Sequence, residues 1–186
     1  MNKLLILLFL FFSLINLYSC AQKKGSLPVT FIHLLNEYKR DSLNILTSDN
    51  FQLKEAYINY TTKKANFLDT FLVFSKAING KFNIVKILST TEPIVILVED
   101  VSYYTKYFSL KPLIWKFMFT NKNGKVERID SDTTIGFKSY MDSFMIKHDN
   151  FIKWLNTKYP TETENILSND LNGLFGERLK EYSSSN

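Results

Sequence analysis

The chain of 186 residues has one cysteine, Cys20, and two histidines, His33 and His148. A lone cysteine allows no intrachain disulfide and no cysteine-based zinc site. Pro (4) and Gly (6) are scarce, which excludes collagen-like and low-complexity chains. The apolar run Leu4 to Ile15, broken only by Ser13, spans 12 residues. A transmembrane helix needs about 20. No HExxH, GxSxG, P-loop or dinucleotide fingerprint occurs, so no metal or cofactor is expected. The net charge of +5 forms no basic stripe. Lys23-Lys24 and Lys63-Lys64 read as solvated pairs, and nucleic acid is not an expected partner. What remains is 45% apolar and 15% aromatic, the composition of a globular domain that packing alone must hold together.

The first residues read as an address. Met1-Asn2-Lys3 is a short positive segment, and the 12-residue run suits the core of a secretory signal. Leu17-Tyr18-Ser19-Cys20 resembles the lipobox of bacterial lipoproteins. The resemblance implies a signal peptide over 1–19 and a lipidated Cys20. The chain is then exported and anchored to the membrane of the bacterial cell envelope. Residues 20–28 read as the tether, and a lipidated Cys20 leaves no thiol for chemistry.

Beyond the tether, Thr30 is expected to cap a helix whose apolar face is Phe31, Leu34, Leu35 and Tyr38. Leu43, Ile45 and Leu46 are expected to be buried. Thr47 to Asn50 reads as a turn, followed by a short strand at Phe51-Gln52-Leu53. A helix is expected over 63–79, with Phe67, Phe71, Phe74 and Ile78 on one face and Asn79-Gly80 as its stop. Residues 81–88, 93–99 and 101–109 are rich in β-branched and aromatic residues and read as strands. Residues 112–120 alternate and put Leu113, Trp115, Phe117 and Phe119 on the buried face. Asn123-Gly124 marks a hairpin returning through 125–129. After Gly136, the stripe Tyr140, Phe144, His148, Phe151 and Leu155 restores helical period until Pro160. Leu167, Leu171, Leu174, Phe175 and Leu179 suit one or two further helices, and Ser183 to Asn186 are expected to fray.

The order of helix, turn, helix and consecutive strands ending in a hairpin resembles the NTF2-like superfamily, and within it the SnoaL-like domains. The resemblance rests on Leu46 to Phe51, Ala65 to Asn79, Trp115 to Phe119 and Asn123 to Ile129. It implies an α+β fold: a cone of N-terminal helices packed on a curved antiparallel sheet over residues 29–136, with a pocket at its open end. Residues 137–186 then form a helical C-terminal extension. Relatives use such pockets for isomerase, dehydratase or cyclase chemistry, for small-molecule binding, or for protein contacts.

The candidate chemistry is thin. His33 falls off the apolar stripe and reads as exposed, and His148 reads as a helix-packing residue. Asp49 reads as a turn cap, and Asp69 as an outward helix residue. Glu99-Asp100 reads as the exit of a strand to solvent. Asp130 to Thr134 reads as a polar turn without the pattern of a calcium loop. No catalytic residue can be assigned. The aromatic residues Trp115, Phe117 and Tyr104 are the candidate lining for an apolar or ring-shaped ligand, with Tyr103 and Tyr107 beside Tyr104 on a neighbouring strand. The leading expectation is a non-enzymatic binding or assembly module at the membrane, as a homodimer or with an envelope protein. The alternative is an isomerase, dehydratase or cyclase acting on an apolar small molecule, or a carrier. An open cone with an inward carboxylate favours the enzyme, and a cone filled by Phe and Trp excludes it.

Overall fold

A computed structural model describes residues 27–163 and 173–185. The readings for Cys20, the signal peptide, Leu167 and Leu171 lie outside the described residues. No described helix is long and apolar enough to cross a membrane.

Residues 27–36 (α1) are already helical, so Thr30 lies inside the helix and not at its cap. A break at 37–39, where Tyr38 has φ 55°, precedes α2 (Arg40–Leu46). Leu43 is fully buried, whereas Ile45 is 71% exposed on the opposite side of α2, against expectation. Strand β1 (Thr47–Glu55) starts where a turn was expected. Thr47 makes this possible. Its hydroxyl donates to the Leu43 carbonyl at 2.7 Å, which satisfies a helix-end acceptor and lets the chain pass directly from helix to strand.

A 3₁₀ turn (Ala56–Ile58) and short strand β2 (Tyr60–Lys63) lead into helix α3, residues 64–77. Its middle, Phe67–Phe71, is π-helical. The wider turn breaks the 3.6 period. Phe67, Leu68 and Leu72 reach the core, but Phe74 turns away and is half exposed. At the end of α3 the left-handed residue is Asn79 (φ 50°), and Gly80 returns its N–H to the Ser75 carbonyl at 2.7 Å.

Strands β3 (Lys81–Ser89), β4 (Ile94–Val101), β5 (Leu113–Lys122) and β6 (Lys125–Thr133) complete a six-stranded curved sheet of order β2-β1-β6-β5-β4-β3. The sheet is mixed: β1 runs parallel to β6, with Leu53 opposite Ile129, and the other neighbours are antiparallel. The β5–β6 hairpin turns at Asn123-Gly124, both at positive φ. Asp130 to Thr133 lie inside β6, not in a turn. Asp130 pairs with Arg128, and Asp132 with Lys116 across the strands. At the sheet edge the Asn36 side chain bonds both the N–H and the C=O of Phe82, at 2.8 and 2.9 Å, and so stands in for a missing strand.

Two apolar cores result. In the first, Phe31 of α1 packs against Phe51, Phe67 and Phe119, with ring centroids within 6.1 Å, and clamps the helices to the concave face of the sheet. The second joins three helices: α4 (Tyr103–Tyr107), α5 (Phe137–Lys158) and α6 (Leu174–Ser185). Residues 103–107 were expected to be strand. Ser102 and Thr105 instead form reciprocal caps, and this capping box starts a helix from residues of β composition. Ser183 to Ser185 remain helical, so the expected fraying does not reach them.

Helix α6 sits close on α4. A Cβ on Gly176 would run into the Tyr103 ring. Gly176→Ala is therefore expected to destabilise the protein by about 1–3 kcal/mol, the usual cost of overpacking. A urea titration beside Gly124→Ala, where a Cβ meets nothing and only backbone strain is added, separates crowding from conformation.

Candidate functional site

The two cores meet along a cleft. Its deeper part has a volume of about 190 Å³ between the sheet and α3, and a wider part of about 790 Å³ opens between α3, α4 and α5. The larger volume is within the range of small-molecule sites. Both parts share Tyr57, Phe74, Ile78, Asp100 and Trp115.

Asp100 is at the centre. In β4 the residues Ile94, Ile96 and Val98 point into the core, and the two-residue period brings Asp100 to the same face. The expected exit to solvent is corrected: Asp100 pairs with Leu113 and Phe82 inside the sheet and turns its carboxyl into the cleft. Two residues along β5 from Leu113, Trp115 donates its indole N–H to the Asp100 Oδ2 at 3.4 Å. Burial pushes the carboxyl up to about 6, and the Trp115 hydrogen bond opposes that shift. Among the described residues, no Lys, Arg or His forms an ion pair with Asp100.

Aromatic rings enclose this group. The 3₁₀ turn after β1 brings Tyr57 to 5.2 Å from Trp115, and Phe137 at the start of α5 closes on both rings. The Tyr57 hydroxyl donates to Glu55 at 3.1 Å. Burial, Glu55 and Asp100 hold its pKa above the ordinary phenol value. Tyr140 of α5 is pushed up to about 12 by burial, with the Asp100 charge adding to it. At the far end His148 stacks on Phe144 with centroids 5.5 Å apart, and burial lowers its pKa.

Trp115 lines both parts of the cleft, Phe117 only the deeper part, and Tyr104 only the wider part. Tyr104 stands on α4 and not on a neighbouring strand, packed edge-on to Phe144 and Phe175. His33 is exposed beside Glu37. Asp49 is in β1 near Lys64, and Asp69 pairs with Arg40 at 2.6 Å on the rim of the wider part. Sequence reasoning missed Asp100, Tyr57 and Tyr140 as site residues. The alternation from Ile94 was the available signal for Asp100. Nothing local marks Tyr57, because its position depends on a turn that only the sheet fixes. Among the described residues no group of acids, His and Cys is arranged for a metal ion.

No family model and no curated protein matches the sequence. Solved structures do match the fold. IdmH from Streptomyces antibioticus, provisionally named a polyketide cyclase, aligns with TM-score 0.52 at 7% identity over 66% of this chain and 97% of its own. Bal32a, from a soil-derived mobile gene cassette, aligns with TM-score 0.51 at 11% identity, over 65% and 96%. An NTF2-like protein of unknown function from Cytophaga hutchinsonii aligns with TM-score 0.47 at 11% identity, over 60% and 89%. The fold is shared with IdmH and Bal32a. At these identities the likeness is one of architecture and carries no activity across. The chain differs from a cone filled with Phe and Trp, because its cleft is open and holds a carboxylate.

Proposed function

We infer that this chain is a binding protein for an apolar small molecule, tethered to the bacterial envelope through Cys20. The cleft around Asp100 carries the reading. It combines an apolar, ring-lined wall with the buried carboxyl of Asp100, the pattern of a pocket that orients a ligand by a few placed polar groups. The lipobox-like Leu17-Tyr18-Ser19-Cys20 supports the tether. One test uses the neutral fluorescent probe Nile red. Trp115→Ala is expected to weaken its binding at least tenfold with little loss of fold by circular dichroism; unchanged binding would remove the cleft as the site. The tether is tested by palmitate labelling in the bacterial host. Label is expected in the wild type and lost in Cys20→Ser, and an unlabelled wild type rejects lipidation.

A second reading, proton transfer, is favoured by the position of Asp100 on the pH scale. A carboxyl near 6 is a competent general base close to neutral pH, and Tyr140 and Tyr57 supply phenols in the same cleft. It would take a proton from carbon next to a ligand carbonyl while a phenol donates to the developing oxyanion. The check is deuterium exchange at the activated carbons of 2-tetralone in D₂O, followed by NMR. Exchange above the buffer rate that disappears in Asp100→Asn supports catalysis; exchange at the buffer rate leaves binding alone.

A further inference from the structure

The charge of the cleft is opposite to that of the chain. The whole sequence carries +5, yet no Lys or Arg lines either part of the cleft, while Glu55, Asp69 and Asp100 all do. The neighbouring cations are committed elsewhere. Arg40 is bonded to Asp69 from outside the lining, at 2.6 Å. Lys81, at the start of β3, donates to the Asn36 carbonyl and lies 4.0 Å above the Tyr38 ring. Asp69 is thus neutralised by Arg40, whereas neither Asp100 nor Glu55 forms an ion pair among the described residues.

The groups that line the cleft with Asp100 are aromatic rings and phenols, and Trp115 gives Asp100 its N–H edge. Trp115 comes from β5, Tyr57 from the turn after β1, Phe74 from α3 and Tyr140 from α5, with Tyr104 and His148 further along the wall. Aromatic faces attract a cation through their negative quadrupole, most strongly when water is excluded. They offer an anion nothing. A carboxylate set among such rings is complementary to a positive charge carried on an apolar body, and it repels a carboxylate or phosphate ligand.

We propose that the cleft selects an apolar ammonium ligand, a tertiary or quaternary amine with a ring or branched alkyl body, and seats its charge between Asp100, Trp115 and Tyr57. The proposal rests on the small-molecule reading above and adds to it the sign of the ligand's charge. Its occupant differs from the neutral carbonyl compound of the proton-transfer reading: both start from the ionised carboxylate, but the base gives up its charge by taking a proton. An ammonium ligand needs the ionised carboxylate and holds it ionised.

The test compares phenyltrimethylammonium with tert-butylbenzene, which has the same shape without the charge, and with benzenesulfonate, by calorimetric titration of the purified full chain. At pH 7.5 the ammonium compound is expected to bind at least tenfold tighter than tert-butylbenzene, and benzenesulfonate not to bind. The cation's charge is fixed, so only the protein titrates. The preference is expected to fade as the pH falls through about 6 toward 5, where Asp100 takes up its proton. Protonation of His148 in the same range would add repulsion, so His148→Gln is run in parallel and is expected to keep most of the pH dependence. Asp100→Asn is expected to erase the preference while tert-butylbenzene still binds. Equal binding of the two isosteres, or a preference that survives Asp100→Asn, overturns the ammonium assignment and leaves a neutral small-molecule pocket standing. Failure of every probe, Nile red included, overturns the pocket reading itself and the ammonium assignment with it.

Discussion

Asp100→Asn is expected to make the unliganded protein more stable above pH 6, by about 3 kcal/mol at full effect. The carboxyl has a pKa of 3.8 in its ordinary setting and about 6 in the fold. Each pKa unit corresponds to about 1.4 kcal/mol between the protonation states. Between the two values the folded chain binds more protons than the unfolded one, so stability falls as the pH rises from about 4 to about 6. Below pH 4 both states are protonated and the penalty vanishes; above 6 it is complete. Asn has the same shape, carries no charge and still accepts the Trp115 N–H through its carbonyl oxygen. Urea titrations from pH 4 to 8 should therefore give a wild-type curve that descends over that interval relative to the variant, the two meeting near pH 4. Parallel curves would mean that the carboxyl is better hydrated than its place in the sheet implies. A folded chain that retains a destabilising acid at this position trades stability for a site, and the same substitution that stabilises it is the one expected to abolish charge selection.

Much of the scaffold was legible because its elements keep one composition or one period over many residues. Strands β3 and β4 follow from β-branched and aromatic composition, β5 from alternation, the hairpin to β6 from Asn123-Gly124, and the long helix α5 from a 3.6-residue stripe. The misreadings occur where local chemistry overrides composition. Val101 to Ser109 have β-branched and aromatic residues in plenty, yet the Ser102–Thr105 capping box makes a helix of their centre. Thr47 to Asn50 look like a turn, yet they extend β1, with Thr47 paired to Val126 of the parallel β6 and an irregular stretch before Gln52 resumes the ladder. Phe74 left its predicted face because the π turn at Phe67–Phe71 inserts an additional residue into the helix path. The site was harder than the scaffold. Trp115 and Phe117 meet Asp100 through the pairing of β4 with β5, but the meeting of that group with Tyr104 and Tyr140 depends on the angle between the two cores. That angle is set by long-range packing, and no run of residues encodes it. Asp100 was the exception. Its buried phase was readable from Ile94, Ile96 and Val98, and the habit of treating a strand-terminal acid as solvated concealed it.

Phe151→Ala is expected to cost about 3–5 kcal/mol, the range for removing a fully buried aromatic ring. Phe151 is the hub of the second core. Its ring lies within 6.2 Å of Phe108, Trp154, Phe175 and Tyr182, and so ties α5 to the end of α4 and to α6. It does not line the cleft, whereas Tyr140, Phe144 and His148, one to three turns earlier on the same helix, do. Loss of the ring therefore acts on ligand binding through the position of that wall and not through a lost contact. The first core, centred on Phe31, shares no buried residue with the second, so the damage should stay local. Native-state hydrogen exchange should show residues 137–158 and 174–185 losing protection while β4, β5 and β6 keep most of theirs. Nile red affinity should fall with that opening, because one side of the wider part of the cleft has moved. A uniform loss of protection across sheet and helices would instead mean that the two cores fold as one cooperative unit. The cleft would then be a seam within that unit and not a junction able to open on its own.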